Sequence, residues 1–118
     1  MEKYIYRGKL ERVVDGDTID ALIDVGFDIW LKKRVRFQGM DAWESRTRNK
    51  EEKVKGLAAK ARLKEILKET NNEFILVSYG VGKFGRCLGE LFLTMDSDSI
   101  NNQLVSEGHA KKYYGGKR

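Results

Sequence analysis

The chain has no proline, one cysteine and one histidine among its 118 residues. A lone Cys87 cannot form an internal disulfide framework, which fits a reducing compartment and excludes a stapled miniprotein. Its place in an expected strand suits a small buried hydrophobe better than a reactive thiol. One cysteine and His109 cannot build a zinc site, nor a histidine-based nuclease or hydrolase centre. His109 itself reads as structural or solvent-facing. No proline, repeat or low-complexity tract marks a linker. No apolar run reaches the roughly 18 residues of a membrane-spanning helix. The start, Met1 to Arg7, carries no apolar segment of signal-peptide type, so a cytoplasmic protein with no membrane partner is expected. Gly-x-x-x-x-Gly-Lys-[Ser/Thr] is missing too, and Gly80 to Gly85 reads as a turn, not a nucleotide-phosphate loop.

What is present describes a folded domain. Charged residues make up 35% and hydrophobic ones 41%, outside the range of disordered chains. The length suffices for one domain, 1–118, with a core of its own. A formal charge of +5 is compatible with a polyanionic partner, although a basic chain does not by itself identify one.

The first third reads as a three-stranded meander. Tyr4 to Val14 is extended and ends at Asp15-Gly16, a tight-turn dipeptide. Thr18 to Val25 places Ile19, Ala21, Ile23 and Val25 on one face, and Ile29 to Phe37 returns after a turn at Gly26. Strong helix formers fill Glu51 to Glu69, with Ala59, Leu63, Ile66 and Leu67 in a core-facing stripe. Phe74 to Tyr79 and Leu88 to Thr94 are the fourth and fifth strands. Ser99 caps a short second helix that Gly108 stops. Five strands with the long helix between the third and fourth is the order of an OB-fold, an α+β chain dominated by its barrel.

Four segments carry the chemistry. Asp15-Gly16-Asp17-Thr18 is a plain hairpin turn, or a turn that projects Asp17 as an oxygen ligand for a hard cation. Asp41-Ala42-Trp43-Glu44 is a solvated loop, or a division of labour. In the second case Asp41 and the Ala42 carbonyl join Asp17 on a metal while Glu44 holds a water as general base. Arg36, on the third strand, and Arg86, before the fifth, are surface charges or a pair of guanidinium forks that grip a phosphate from two sides. Trp43 stacks on a base or packs beside the barrel.

In order along the chain, Asp-Gly-Asp-Thr, an arginine-bearing strand ending in Asp-x-x-Glu, a helix with Gly56-x-x-Ala59, and Lys83-Phe84-Gly85-Arg86 resemble the thermonuclease family, the staphylococcal (micrococcal) nuclease-like domains. Ile100 to Val105 with Gly108 to Lys111 resembles that family's closing helix-and-strand segment. The resemblance runs to about Tyr114. It implies a calcium-dependent nuclease on an OB barrel, cutting DNA and RNA with little sequence preference and leaving 3′-phosphate ends. It implies Asp17, Asp41 and the Ala42 carbonyl as calcium ligands, Glu44 as general base, and Arg36 and Arg86 on the phosphate. Lys83 and Tyr114 resemble the residues that bind a terminal phosphate of nucleotide ligands. Single-stranded DNA or RNA is the expected partner, because a shallow barrel face accepts splayed bases more readily than a duplex. The alternative is a catalytically weak or silent binding module of the same fold.

Three departures stand out. Ala42-Trp43 replaces the family's usual Thr-Pro, which leaves the Glu44 loop without its proline. The hairpin between Asp17 and Arg36 is longer than usual. The chain ends before the prototype's third helix, which leaves a monomer as the expectation and a dimer as the alternative.

Overall fold

Bulges, rather than loops, close the sheet. In the computed structural model, which describes residues 4–81 and 86–113, strand β1 (Tyr4–Asp15) pairs with β2 (Thr18–Asp24) on one side and β5 (Glu73–Val81) on the other. Its register against β2 shifts between Leu10 and Arg12 and again between Val13 and Asp15. Each extra residue sharpens the local twist of β1, which helps the sheet curl toward closure. Antiparallel pairing continues from β2 to β3 (Trp30–Phe37), and β3 pairs in parallel with β6 (Cys87–Phe92), which returns antiparallel to β5. The result is a closed barrel in the order β1-β2-β3-β6-β5, the five-stranded OB-type architecture with the expected helix between its third and fourth barrel strands.

Alternation sends Ile19, Ala21 and Ile23 of β2 and Val35 and Phe37 of β3 into the core. Val25, Leu31 and Lys33 keep that alternation but stay exposed, because the β2–β3 hairpin runs past the barrel rim. At its tip Gly26, Phe27 and Asp28 all take left-handed φ, and Phe27 is 97% exposed.

Helix α1 (Lys50–Lys68) begins where Asn49 accepts the amides of Glu51 and Glu52. Its stripe of Ala59, Leu63, Ile66 and Leu67 is buried, and the three larger side chains each contribute about 2 kcal/mol by burial. The helix stops at Asn71 and Asn72, both with left-handed φ, a conformation asparagine tolerates better than most residues. Helix α2 (Ile100–Ser106) is capped by Ser99, which accepts the Asn102 amide at 3.0 Å. Buried Asn101 stitches α2 to the barrel: its side chain receives the Leu91 amide and donates to the carbonyls of Gln38 and Gly89.

Two three-residue strands, β4 (Met40–Ala42) and β7 (Ala110–Lys112), form a separate antiparallel pair. Asp41 therefore sits on a strand. The loop expected there starts only at Trp43.

The two helices are tied by a two-point contact, Arg62 Nε to Glu107 Oε1 at 2.6 Å and Arg62 Nη2 to Glu107 Oε2 at 3.0 Å. The Arg62 hydrogen bond holds the Glu107 carboxyl down at about 2, against an ordinary value of 4.5. A carboxyl depressed on folding adds stability that is complete above its unfolded value and disappears as pH falls through its folded value. Thermal melts of wild type and Arg62→Gln should therefore differ above pH 4.5 and converge as pH approaches 2. A difference that persists unchanged through that window would show that the tie acts by packing.

Candidate nuclease site

The two acid-bearing segments meet because one turn of α1 is stripped of side chains. A methyl group on Gly56 would overlap the Glu44 carbonyl and lie 2.6 Å from the Ser45 amide. Three residues on, along the same helix face, Ala59 touches the β1–β2 turn: a methyl group on Gly16 would lie 2.7 Å from the Ala59 Cβ and 3.1 Å from the Ala42 Cβ. Gly56 and Ala59 thus form a smooth platform that seats the Asp17 turn and the Glu44 loop next to each other. The tight turn expected at Asp15-Gly16 is present between β1 and β2. Gly16 does not have left-handed φ; it is glycine because a helix and a strand approach it on both sides.

Asp17 stands at the centre and is 7% exposed. One of its carboxylate oxygens accepts the Ala42 amide at 2.9 Å and contacts Arg36 Nη1, also at 2.9 Å. The other accepts the Thr18 hydroxyl at 2.9 Å. The Asp17 carbonyl accepts the Phe37 amide, which fixes the turn against the end of β3. The second guanidinium nitrogen of Arg36 reaches Asp41 Oδ1 at 3.2 Å. A single arginine therefore holds both aspartates, which come from segments 24 residues apart in sequence.

Two residues earlier on β3 a second Asp–Arg pair gives the contrast. Arg34 forks onto Asp20 at 2.8 and 3.1 Å on the exposed barrel wall, and this hydrogen bonding lowers the Asp20 carboxyl. Asp17 goes the other way. Burial raises it, and Arg36, the Ala42 amide and the Thr18 hydroxyl only partly offset that, while Asp41 adds to it. A buried carboxylate that its own surroundings undercompensate is suited to a further cation. The donor chemistry agrees: two carboxylates and the backbone of β4 offer oxygen to a hard divalent ion. Among the described residues no group of three or more acidic, histidine or cysteine side chains is gathered to hold a metal ion, so the Asp17–Asp41 pair is the carboxylate set on offer here.

Glu44 is exposed and has no hydrogen bond or ion pair among the described residues. Its backbone is nonetheless fixed. The next residue, Ser45, donates both its amide, at 3.2 Å, and its hydroxyl, at 2.5 Å, to Asp15 Oδ1. On the other flank the Trp43 ring carries two cation–π contacts, with Lys55 Nζ of α1 at 4.6 Å and Lys111 Nζ of β7 at 4.8 Å from its centre. These contacts tie the loop to α1 and β7 where the family's usual proline is lacking.

Arg86 is half-buried and immediately precedes Cys87, which pairs with Val35. The same register sets Leu88 beside Arg36. A cleft of about 280 Å³ lies there, lined by Arg36, Leu88 and Tyr113 among others. Tyr113 was not singled out in the sequence. Lys83 and Tyr114 lie outside the described residues.

Comparison with known proteins decides the family. The model of the family described as "Staphylococcal nuclease homologue" matches residues 34–118, most of the chain. The chain belongs to that family. A staphylococcal nuclease homologue built on this barrel places Arg36, Asp41, Glu44 and Arg86 within the matched span, while Asp17 lies before it. The chain is also similar to Protein ParB of Escherichia coli, 29% identical over 114 residues, covering 91% of this chain and 57% of that protein. It thus spans a little over half the length of that relative.

Sequence reasoning missed Asp15, the platform role of Gly56, and the Trp43 cation–π contacts. Asp15 and Ser45 are 30 residues apart, and no local pattern links them.

Proposed function

We propose that this staphylococcal nuclease homologue is a calcium-dependent nuclease that hydrolyses phosphodiester bonds of DNA and RNA, preferring single strands. The observation that carries this reading is the shared guanidinium: Arg36 holds Asp17 and Asp41 side by side with a net negative charge, in a setting that leaves Asp17 undercompensated.

Asp17, Asp41 and the Ala42 carbonyl would hold the ion. Calcium, when bound there, supplies charge stabilisation to the phosphate and lowers the pKa of a bound water. With that ion in place the aspartates no longer depend on Arg36, whose fork is then available to non-bridging phosphate oxygens. Glu44, exposed and unpaired among the described residues, would accept the proton of the attacking water. Arg86 takes the second side of the phosphate, and Lys83 and Tyr114 a terminal phosphate. The cleft beside Arg36 and Tyr113 receives the adjoining sugar or base.

The test is digestion of denatured DNA. Cleavage should require calcium, stop on addition of a chelator and leave 3′-phosphate ends, which block polymerase extension until a phosphatase is added. Glu44→Gln should slow turnover by about 10²-fold or more while leaving oligonucleotide binding intact. Tight binding with no digestion at any calcium concentration would assign the chain to the silent-module alternative. Unchanged turnover in Glu44→Gln would remove Glu44 as the base.

A further inference from the structure

Apart from the cleft at Arg36, a groove of about 430 Å³ lies between the bulged part of β1 and the outer face of α1. Its lining is unusually uniform in sign. Lys60, Lys64 and Lys68 enter from α1 at i, i+4 and i+8, and Arg46 and Arg12 enter from the Glu44 loop and from β1. Glu11 is the one acid in the lining, and it is drawn to Lys32 at 3.7 Å.

The lysine row costs the helix something. Like charges at i, i+4 repel, destabilising a helix by about 0.2–0.5 kcal/mol per pair. Among the described residues, Arg46, Lys60, Lys64 and Lys68 make no ion pair that would relieve this. Only Arg12 is partly neutralised, by Asp20 at 3.4 Å. Four uncompensated cations along one groove are the electrostatic footprint of a linear polyanion.

Position links the groove to the site. Arg46 lies two residues beyond Glu44, on the segment that Asp15 pins through Ser45. From there the row of lysines leads away along α1, about 12 Å from Lys60 to Lys68. The walls are a helix and a strand packed directly on one another, and the helix cations form a single line at one-turn spacing, the pattern that one strand's phosphates would follow.

We propose that this groove carries the sugar–phosphate backbone of a single-stranded nucleic acid away from the site, with Arg46, Lys60, Lys64 and Lys68 contacting successive phosphates. The proposal rests on the nuclease reading for the strand's destination. Binding in the groove does not require cleavage.

The test uses the full chain and two probes. Binding of a long single-stranded oligothymidylate is followed by fluorescence anisotropy in chelator across a salt series, and turnover of a thymidine dinucleotide is followed with calcium. Lys60→Gln/Lys64→Gln/Lys68→Gln should weaken oligothymidylate binding at least about tenfold at low salt and reduce the salt slope by about 2, since each single-strand phosphate contact contributes about 0.7. Dinucleotide turnover should be unchanged. A charge-matched control, Arg7→Gln/Lys9→Gln/Lys33→Gln, should keep the wild-type slope. Circular dichroism confirms that both triple variants are folded. A wild-type slope in the groove variant, or an equal loss in the control, overturns the proposal. If wild type fails to cleave either probe while the groove variant still loses slope, the groove stands and the nuclease reading falls. Binding to anionic lipid vesicles with none to oligothymidylate would also overturn it.

Discussion

Arg36→Gln is expected to lose at least about 10²-fold in turnover and, separately, about 3 kcal/mol of stability in chelator. The two losses have different origins. Turnover falls because a preorganised guanidinium no longer meets the phosphate. Stability falls because the substitution leaves Asp17 and Asp41 facing each other with no counter-charge, and Asp17 is already raised by burial. Removing one partner of a buried ion pair generally costs more than the pair contributed, since the remaining charge stays desolvated. The variant should therefore gain more from calcium in a urea melt than the wild type does, because the ion takes over a neutralisation that wild type obtains from Arg36. Turnover within tenfold of wild type, or an equal calcium shift in both proteins, would contradict this account.

Gly56→Ala carries the second large effect, and its sign opposes helix propensity. In an exposed helix interior, glycine to alanine usually gains about 1 kcal/mol. Here the added methyl group meets backbone, the Glu44 carbonyl and the Ser45 amide, which cannot move aside as the end of a flexible side chain can. Overpacking of this kind costs about 1–3 kcal/mol, which outweighs the propensity gain, so a net loss of about 1 kcal/mol is expected. The relief open to the chain is to lift the Glu44 loop from α1, against the Ser45–Asp15 bonds and the Trp43 cation–π contacts. A displacement near 1 Å at a catalytic group can cost about 10²-fold in rate. Turnover should thus fall well beyond what the lost stability explains, with calcium affinity little changed because Gly56 meets the Glu44 loop, while the Asp17 turn rests on Ala59 and Asp41 on β4. An alanine variant as stable as wild type would mean that the loop does not rest on the helix as described.

Much of the architecture was legible in residue order. Period-two alternation in Ile19-Ala21-Ile23 and Val35-Phe37, and the 3.6-residue stripe of Ala59, Leu63, Ile66 and Leu67, each describe a face that must be buried, and each is. The short strand β4 was not legible, because three residues are too few to show a period; β7 was indicated only through the resemblance at Gly108 to Lys111, and its pairing with β4 joins Asp41 to Lys111 across most of the chain. Asp17, Arg36 and Asp41 could be proposed as neighbours from their residue types, and the backbone does bring them into contact. What could not be read is how they are held. Gly56 inside a helix looks like a defect until the backbone lying against it is known, and no local pattern brings Lys55 and Lys111 to the Trp43 ring. Both depend on side chains distant in sequence meeting at one helix turn.

The most direct measurement is a calorimetric titration of calcium into wild type, Asp17→Asn and Asp41→Asn, without substrate. If two acidic segments laid on the α1 platform form one cation site, wild type should bind a single calcium per chain and each asparagine variant should lose that binding while staying folded. Absence of binding in wild type, or binding that survives in both variants, would contradict the site.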